Sequence, residues 1–325
     1  MDIEVEVVPD VNIKEIEFSN ESNDNIPTNN SDKVQDKLLP DNIIISIQEL
    51  VHPHFGCYLW PGSYVLASYI WYYKYEFINK TTLELGSGVS LPSLLLAKLK
   101  YEYFKNRNKK FTPINELPPT IITDISKPRF ILTNIQKEVI LNDMKLNENS
   151  SVNDKIENEI DINDNSNSND DIQYNIFVEP LYWGVLDTLE SIIQKINNIN
   201  VATIPPNNNS YTIDYILAAD NFFIPKDYED ILATISFIFR NYPKAKFITT
   251  YQERSSQRTI QHLLDEWNMK ASLIPLSTFN CNVNDLVIRE ENEEEETTSK
   301  TEINNNLNFG GSIYSIFLLI IELKQ

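Results

Sequence analysis

The amino-acid sequence predicts an α/β fold: a seven-stranded, mostly parallel sheet with an antiparallel C-terminal edge and helices on both faces. Two observations carry this reading. Short β-branched runs alternate with segments of helical periodicity along most of the chain. A glycine-bearing turn, LELGSGVSLPS, joins the first such strand directly to the first helix, the place where the backbone of a parallel sheet approaches a ligand.

The strands are expected at 81–85, 120–124, 172–178, 214–219, 246–251, 270–274 and 312–323, where Val, Ile, Leu, Thr and Phe cluster. Helical patterns fall between the first six, at 91–99, 127–142, 184–197, 226–241 and 255–267. Pro128 and Pro225 stand near helix starts, where a missing N–H does no harm. The last two strands have no helix between them, which predicts an antiparallel pair at one edge.

Charge separates this core from its decorations. The chain has 325 residues and a formal net charge of −20. Residues 1–37 carry −7, residues 148–171 another −7, and residues 290–302 the remaining −6, so the rest is neutral. Low hydrophobicity with high charge or amide content cannot bury enough surface to offset ordering entropy. The expected organisation is therefore a disordered acidic arm at 1–37 and one domain at 38–325, interrupted by low-complexity insertions at about 147–171, 203–211 and 290–308. A neutral core argues against a basic nucleic-acid-binding domain. The two cysteines, Cys57 and Cys281, imply no disulfide framework and a reducing, intracellular setting; a cytoplasmic and nuclear location is expected. The apolar stretches from Tyr64 and near the C-terminus are shorter than the ~20 residues of a membrane span, so a soluble protein is expected.

The turn after the first strand holds two of only seven glycines, Gly86 and Gly88. A dinucleotide fingerprint would need a third at position 91, where the chain has Leu91, so a pyrophosphate site is disfavoured. Glu84, at the end of the strand, suits a ligand with a cationic end such as an amino group. Asp124 ends the second strand, where a carboxylate accepts ribose hydroxyls or caps the next helix. His52, His54 and His262 lack nearby metal-type partners in the sequence, so no metal centre is expected.

Taken in order, GCYLWPGSYVLASYIW, LELGSGVSLPSLLLAK, LYWG, ILAADNFFIPKDYEDILATI, TTYQERS and LLDEWNMK resemble the methyltransferase-like protein 23 family. That family sits among the seven-strand methyltransferases related to the family-16 protein lysine methyltransferases. The resemblance covers roughly residues 43–289 and the final strand, outside the insertions. It implies a Rossmann-like fold, S-adenosyl-L-methionine as cofactor, and methyl transfer to a protein nitrogen. The third loop position, often glycine in the wider group, is Ser90.

On this resemblance, Trp60, Glu84, Gly86, Gly88, Asp124, Trp183 and Ala219 contact the cofactor, with Glu84 facing its methionine amino group. Asp220-Asn221-Phe222-Phe223 matches the family's D-x-x-Y/F motif. Asp220 is expected to orient the acceptor nitrogen and Phe223 to wall the reaction site. Phe222 either contacts substrate or belongs to the core. Tyr251, Gln252 and Arg254 are candidate substrate contacts after the fifth strand. Asn221 departs from the apolar residue expected there. The motif differs from the N-P-P-Y of enzymes that methylate base amines or glutamine amides, which points away from those acceptors. The implied substrate is a basic protein, such as a histone tail, with arginine as the expected acceptor and lysine as the alternative. A third reading is a non-catalytic module of a chaperone or transcription complex.

Overall fold

The computed structural model describes residues 9–20, 38–107, 117–152, 174–203, 212–254, 259–281 and 315–324. A seven-stranded sheet runs in the order β5(Ile176–Pro180), β4(Thr120–Asp124), β3(Thr82–Glu84), β6(Tyr215–Ala219), β7(Lys246–Gln252), β9(Ile316–Leu323), β8(Met269–Ile274). β5 through β7 are mutually parallel, and β9 is antiparallel to both neighbours. The expected antiparallel pair is present, with a refinement: the last strand slots between β7 and β8 instead of adding outside them. Strand order reverses at β3, which pairs with β4 on one side and β6 on the other. A crevice at the strands' carboxyl ends is the regular outcome of such a reversal.

Helices α1(Pro61–Tyr72), α2(Leu91–Arg107) and α3(Phe130–Leu141) bury their apolar residues on one face of the sheet. α4(Leu186–Thr203), α5(Tyr228–Asn241) and α6(Gln261–Glu266) cover the other. α2 runs eight residues past the expected end, because charged positions that mask its apolar pattern include a buried one. Lys100 is 1% exposed, and its ammonium donates to Thr82 Oγ1, Thr120 Oγ1 and the carbonyls of Pro118 and Pro119 at 2.9–3.4 Å. Among the described residues, no helix is long and apolar enough to cross a membrane.

Two strands escape the sequence reading. β1(Val11–Ser19), placed above within a disordered arm, pairs antiparallel with β2(Asn42–Leu50) from Val11↔Leu50 to Ser19↔Asn42. Ile16 and Phe18 are buried while Glu15 and Glu17 face out, so the acidity occupies one side of a strand. The rest of the arm and most of the three insertions lie outside the described residues. Among the described residues β2 takes no further strand, and α3 faces its other edge instead. Asn134 and Asn142 donate to the carbonyls of Gln48 and Ser46, while Glu138 and Asn142 accept their N–H groups, at 2.7–3.0 Å. Side chains four residues apart on one helix stripe thus satisfy backbone that would otherwise need a strand.

Candidate active site

A cavity of about 370 Å³ opens at the carboxyl ends of β3, β4 and β6. Its floor is the turn after β3. Gly86 and Gly88 hold φ of +57° and +53°, the left-handed region that favours glycine. Ser90 adopts the same region at +55°, and its hydroxyl bonds Ser87 Oγ at 3.0 Å. The end of β4 clamps the turn. Thr123 O accepts from Ser87 N–H at 3.0 Å, and Asp124 Oδ2 accepts from Gly88 N–H at 2.8 Å. Asp124 Oδ1 accepts from Ile125 N–H at 2.7 Å, and burial raises its pKa to about 6. The carboxylate also lines the cavity, so each oxygen keeps a lone pair for a hydroxyl.

Gly86 is fixed by its neighbours as well as by φ. A Cβ there would come within 2.7 Å of the Trp183 ring and 3.0 Å of Asn221 Nδ2. Asn221, unexplained in the motif, donates from that nitrogen to Leu85 O at 2.6 Å and so ties the end of β6 to the glycine turn.

Glu84 does not reach the cavity, and direct contact with a cationic ligand is not what its position offers. It is fully buried, close to Ser93 of α2 and outside the cavity lining. Burial pushes its pKa up to about 8, nearby Asp124 adds to this, and Ser93 opposes it. The folded value lies above the ordinary 4.5, so the fold prefers the protonated acid. Its stabilising contribution is full below about 4.5 and is lost as pH rises through about 8. Glu84→Gln is expected to melt a few degrees above the unmodified chain at pH 8, without ligand, and the gap to close toward pH 5. Parallel melting curves at both pH values would refute this.

Asp220 sits just past β6 with φ of +59°. Its N–H donates to Thr250 O at 3.0 Å, and its Oδ1 accepts from Gln252 N–H at 3.3 Å. The WPG turn packs behind it: a Cβ on Gly62 would meet Thr250 Oγ1 at 2.6 Å and Asp220 Cβ at 3.2 Å. The carboxylate faces Arg254 as a two-pronged pair, Nη1 to Oδ1 at 2.9 Å and Nη2 to Oδ2. Burial raises the Asp220 pKa, and Arg254 opposes the rise.

The mouth is aromatic. Trp60 donates its indole N–H to Phe55 O at 2.7 Å, and the Phe55 ring lies 6.0 Å from Trp60 and 5.0 Å from Phe223. Phe55 was missed in the sequence; its place beside the WPG string is the signal that could have found it. Of the expected residues, Trp60, Gly86, Gly88, Asp124, Trp183, Ala219, Asp220, Phe223 and Arg254 meet at this cavity. Phe222, Tyr251 and Gln252 do not. Phe222 is 1% exposed and packs on Tyr228 and Phe247 beneath the sheet, which settles its open reading as core. Tyr251 and Gln252 are buried because β7 is covered on both sides, and the Gln252 backbone N–H donates to Asp220. Four carboxylates, Asp124, Asp220, Asp227 and Asp230, line the wall against one guanidinium, Arg254, an electrostatic setting that favours cationic guests.

No family model matches the chain. Methyltransferase-like protein 23 of Dictyostelium discoideum is 30% identical over 247 residues, spanning 74% of this chain and 78% of that protein. The histone-arginine methyltransferase METTL23 of Xenopus laevis is 29% identical over 237 residues, 73% and 74% of the two chains. The human protein of the same name is 29% identical over 229 residues, covering 70% of this chain and 87% of its own. A solved methyltransferase structure from Agrobacterium tumefaciens aligns over 86% of this chain and 68% of its own at 12% identity and a TM-score of 0.41.

Proposed function

This chain belongs to the methyltransferase-like protein 23 family and is a methyltransferase, and we propose that it moves a methyl group from S-adenosyl-L-methionine to arginine side chains of histones or other basic protein tails. Relatives in two vertebrates carry the name histone-arginine methyltransferase, which supports the acceptor class. The observation that carries the reading is the fork between Asp220 and a guanidinium at the cavity wall. A carboxylate that presents both oxygens in parallel is complementary to an arginine head group and less so to the point charge of an ammonium.

The residues present fit the cofactor. The left-handed glycine turn brings backbone to the cavity floor, and Asp124 keeps acceptor capacity for a pair of hydroxyls. Trp183 and Tyr182 line the adjoining wall and offer ring faces for a flat base. When bound, the cofactor supplies a methyl group on a sulfonium, an electrophile that needs no metal or acid to activate it.

The chain's own residues then have three tasks. Asp220 orients the acceptor guanidinium, and its raised proton affinity suits it to take the proton that the methylated nitrogen releases. Phe55, Trp60 and Phe223 cover the mouth and exclude water from the nitrogen's lone pair. The carboxylates of Asp227 and Asp230 attract a basic polypeptide to the rim. The cytoplasm and nucleus are the compartments in which this activity is proposed.

Purified chain, labelled cofactor and paired arginine-rich and lysine-rich histone peptides test the proposal. Methylarginine in the acid hydrolysate is the expected product. Methyllysine alone would transfer the assignment to lysine, and no cofactor binding at millimolar concentration would leave a binding module.

A further inference from the structure

Of the two members of the Asp220–Arg254 pair, Asp220 has anchors outside the pair, and among the described residues the Arg254 guanidinium has none. Asp220 is held by its own N–H, by the Gln252 amide and by the Gly62 turn behind it. It is 7% exposed at the side chain. Arg254 stands two residues beyond the end of β7, and its side chain is 15% exposed on the cavity side of the pair. Among the described residues, the hydrogen bonds its guanidinium makes are those to Asp220. Removing Arg254 would therefore expose a carboxylate already set in place, whereas removing Asp220 would take from the guanidinium its partner among the described residues.

We propose that Arg254 is an internal stand-in for the acceptor: its guanidinium fills the seat on Asp220 that a substrate arginine must take, and substrate binds by displacing it. The inference rests on the arginine reading above. The exchange is like for like, two parallel charge-assisted bonds given up and two regained, so it costs little when a true guanidinium arrives. It also keeps the buried carboxylate paired while the seat is otherwise empty, avoiding an uncompensated charge. An internal competitor of this kind weakens apparent affinity by the fraction of time it holds the seat.

Ethylguanidinium, small enough to enter the cavity, provides the test. Its binding to the full chain is followed by the fluorescence of Trp60 and Trp183, without cofactor, beside kinetics with an arginine peptide. Arg254→Ala and Arg254→Gln are compared, the second because glutamine keeps hydrogen bonds to Asp220 and protects the fold. Removing the competitor should tighten ethylguanidinium binding at least about tenfold in either folded variant and lower the KM for the peptide. Adding Asp220→Asn should abolish the gain. Binding no tighter than in the unmodified chain would overturn the proposal and make Arg254 a fixed positioning residue. The binding arm needs no turnover, so a chain that binds as expected yet forms no methylarginine would refute the acceptor assignment alone.

Discussion

Asp220→Asn should lower the rate of methyl transfer to an arginine peptide by on the order of a thousandfold, while the dissociation constant for S-adenosyl-L-methionine changes by less than about tenfold. The substitution is chosen for its backbone. At φ of +59° asparagine is among the few residues as tolerant as aspartate, so the elbow after β6 keeps its shape and the lost charge is what is measured. Alanine there would add strain and confuse the two effects. The cofactor's expected partners, the glycine turn and Asp124, make no described hydrogen bond to Asp220, which is why the two readouts should separate. Single-turnover labelling together with cofactor calorimetry checks this. Activity within tenfold of the unmodified chain would remove Asp220 from the chemistry.

The second large effect concerns stability. Lys100 bridges the amino ends of β3 and β4, where Thr82 and Thr120 are register partners, and it does so from inside the protein. Burial holds its pKa well below the usual lysine range, with Asp214 as the opposing influence. Lys100→Ala would open a cavity and take the described donor from the Pro118 carbonyl, while Pro119 O keeps the Thr82 N–H, a loss of about 4 kcal/mol. For a domain of this size that corresponds to roughly 10 °C in Tm. Lys100→Met fills the space without restoring the donors, and should recover about half. Melting curves decide it. A change below about 1 kcal/mol for the alanine variant would mean that a threonine hydroxyl takes over at the Pro118 carbonyl.

The parallel core was legible because each strand is apolar on both faces and ends in punctuation. β4 occupies the expected 120–124, and β3, β6, β7 and β8 lie within a residue of expectation at either end. β5 is displaced toward its C-terminus: Pro180 closes it opposite Asp124, and proline discouraged placing a strand end there. β1 and β2 were hidden for a different reason. They pair across more than twenty intervening residues and their alternation is diluted by exposed Val11, Ile13 and Ile44, so composition outweighed the period-two signal of Ile16 and Phe18.

At the site, residues that end strands, such as Gly86, Asp124 and Asp220, could be read directly, since a carboxyl-end position implies a place in the crevice. Contacts between strand ends could not. Asn221 reaching Leu85, and Arg254 reaching Asp220, depend on β6 lying beside both β3 and β7. Glu84 shows the converse failure: its sequence position suits a ligand contact, but its side of β3 turns the carboxylate toward α2 and Ser93.

The ladder between α3 and β2 has a consequence for how the chain can vary in length. Four helical residues rise about 6.0 Å, and two strand residues rise about 6.6 Å. The step from Glu138 to Asn142 therefore keeps pace with the step from Gln48 to Ser46. That agreement is a coincidence of two repeats, and it holds only while neither repeat is interrupted. One residue inserted into either partner would turn Asn134, Glu138 and Asn142 off the edge or shift β2 by half its period. Change can accumulate in the tracts that punctuate the chain, whereas this stretch is closed to insertion and deletion, as though its two spacings had been cut from one ruler.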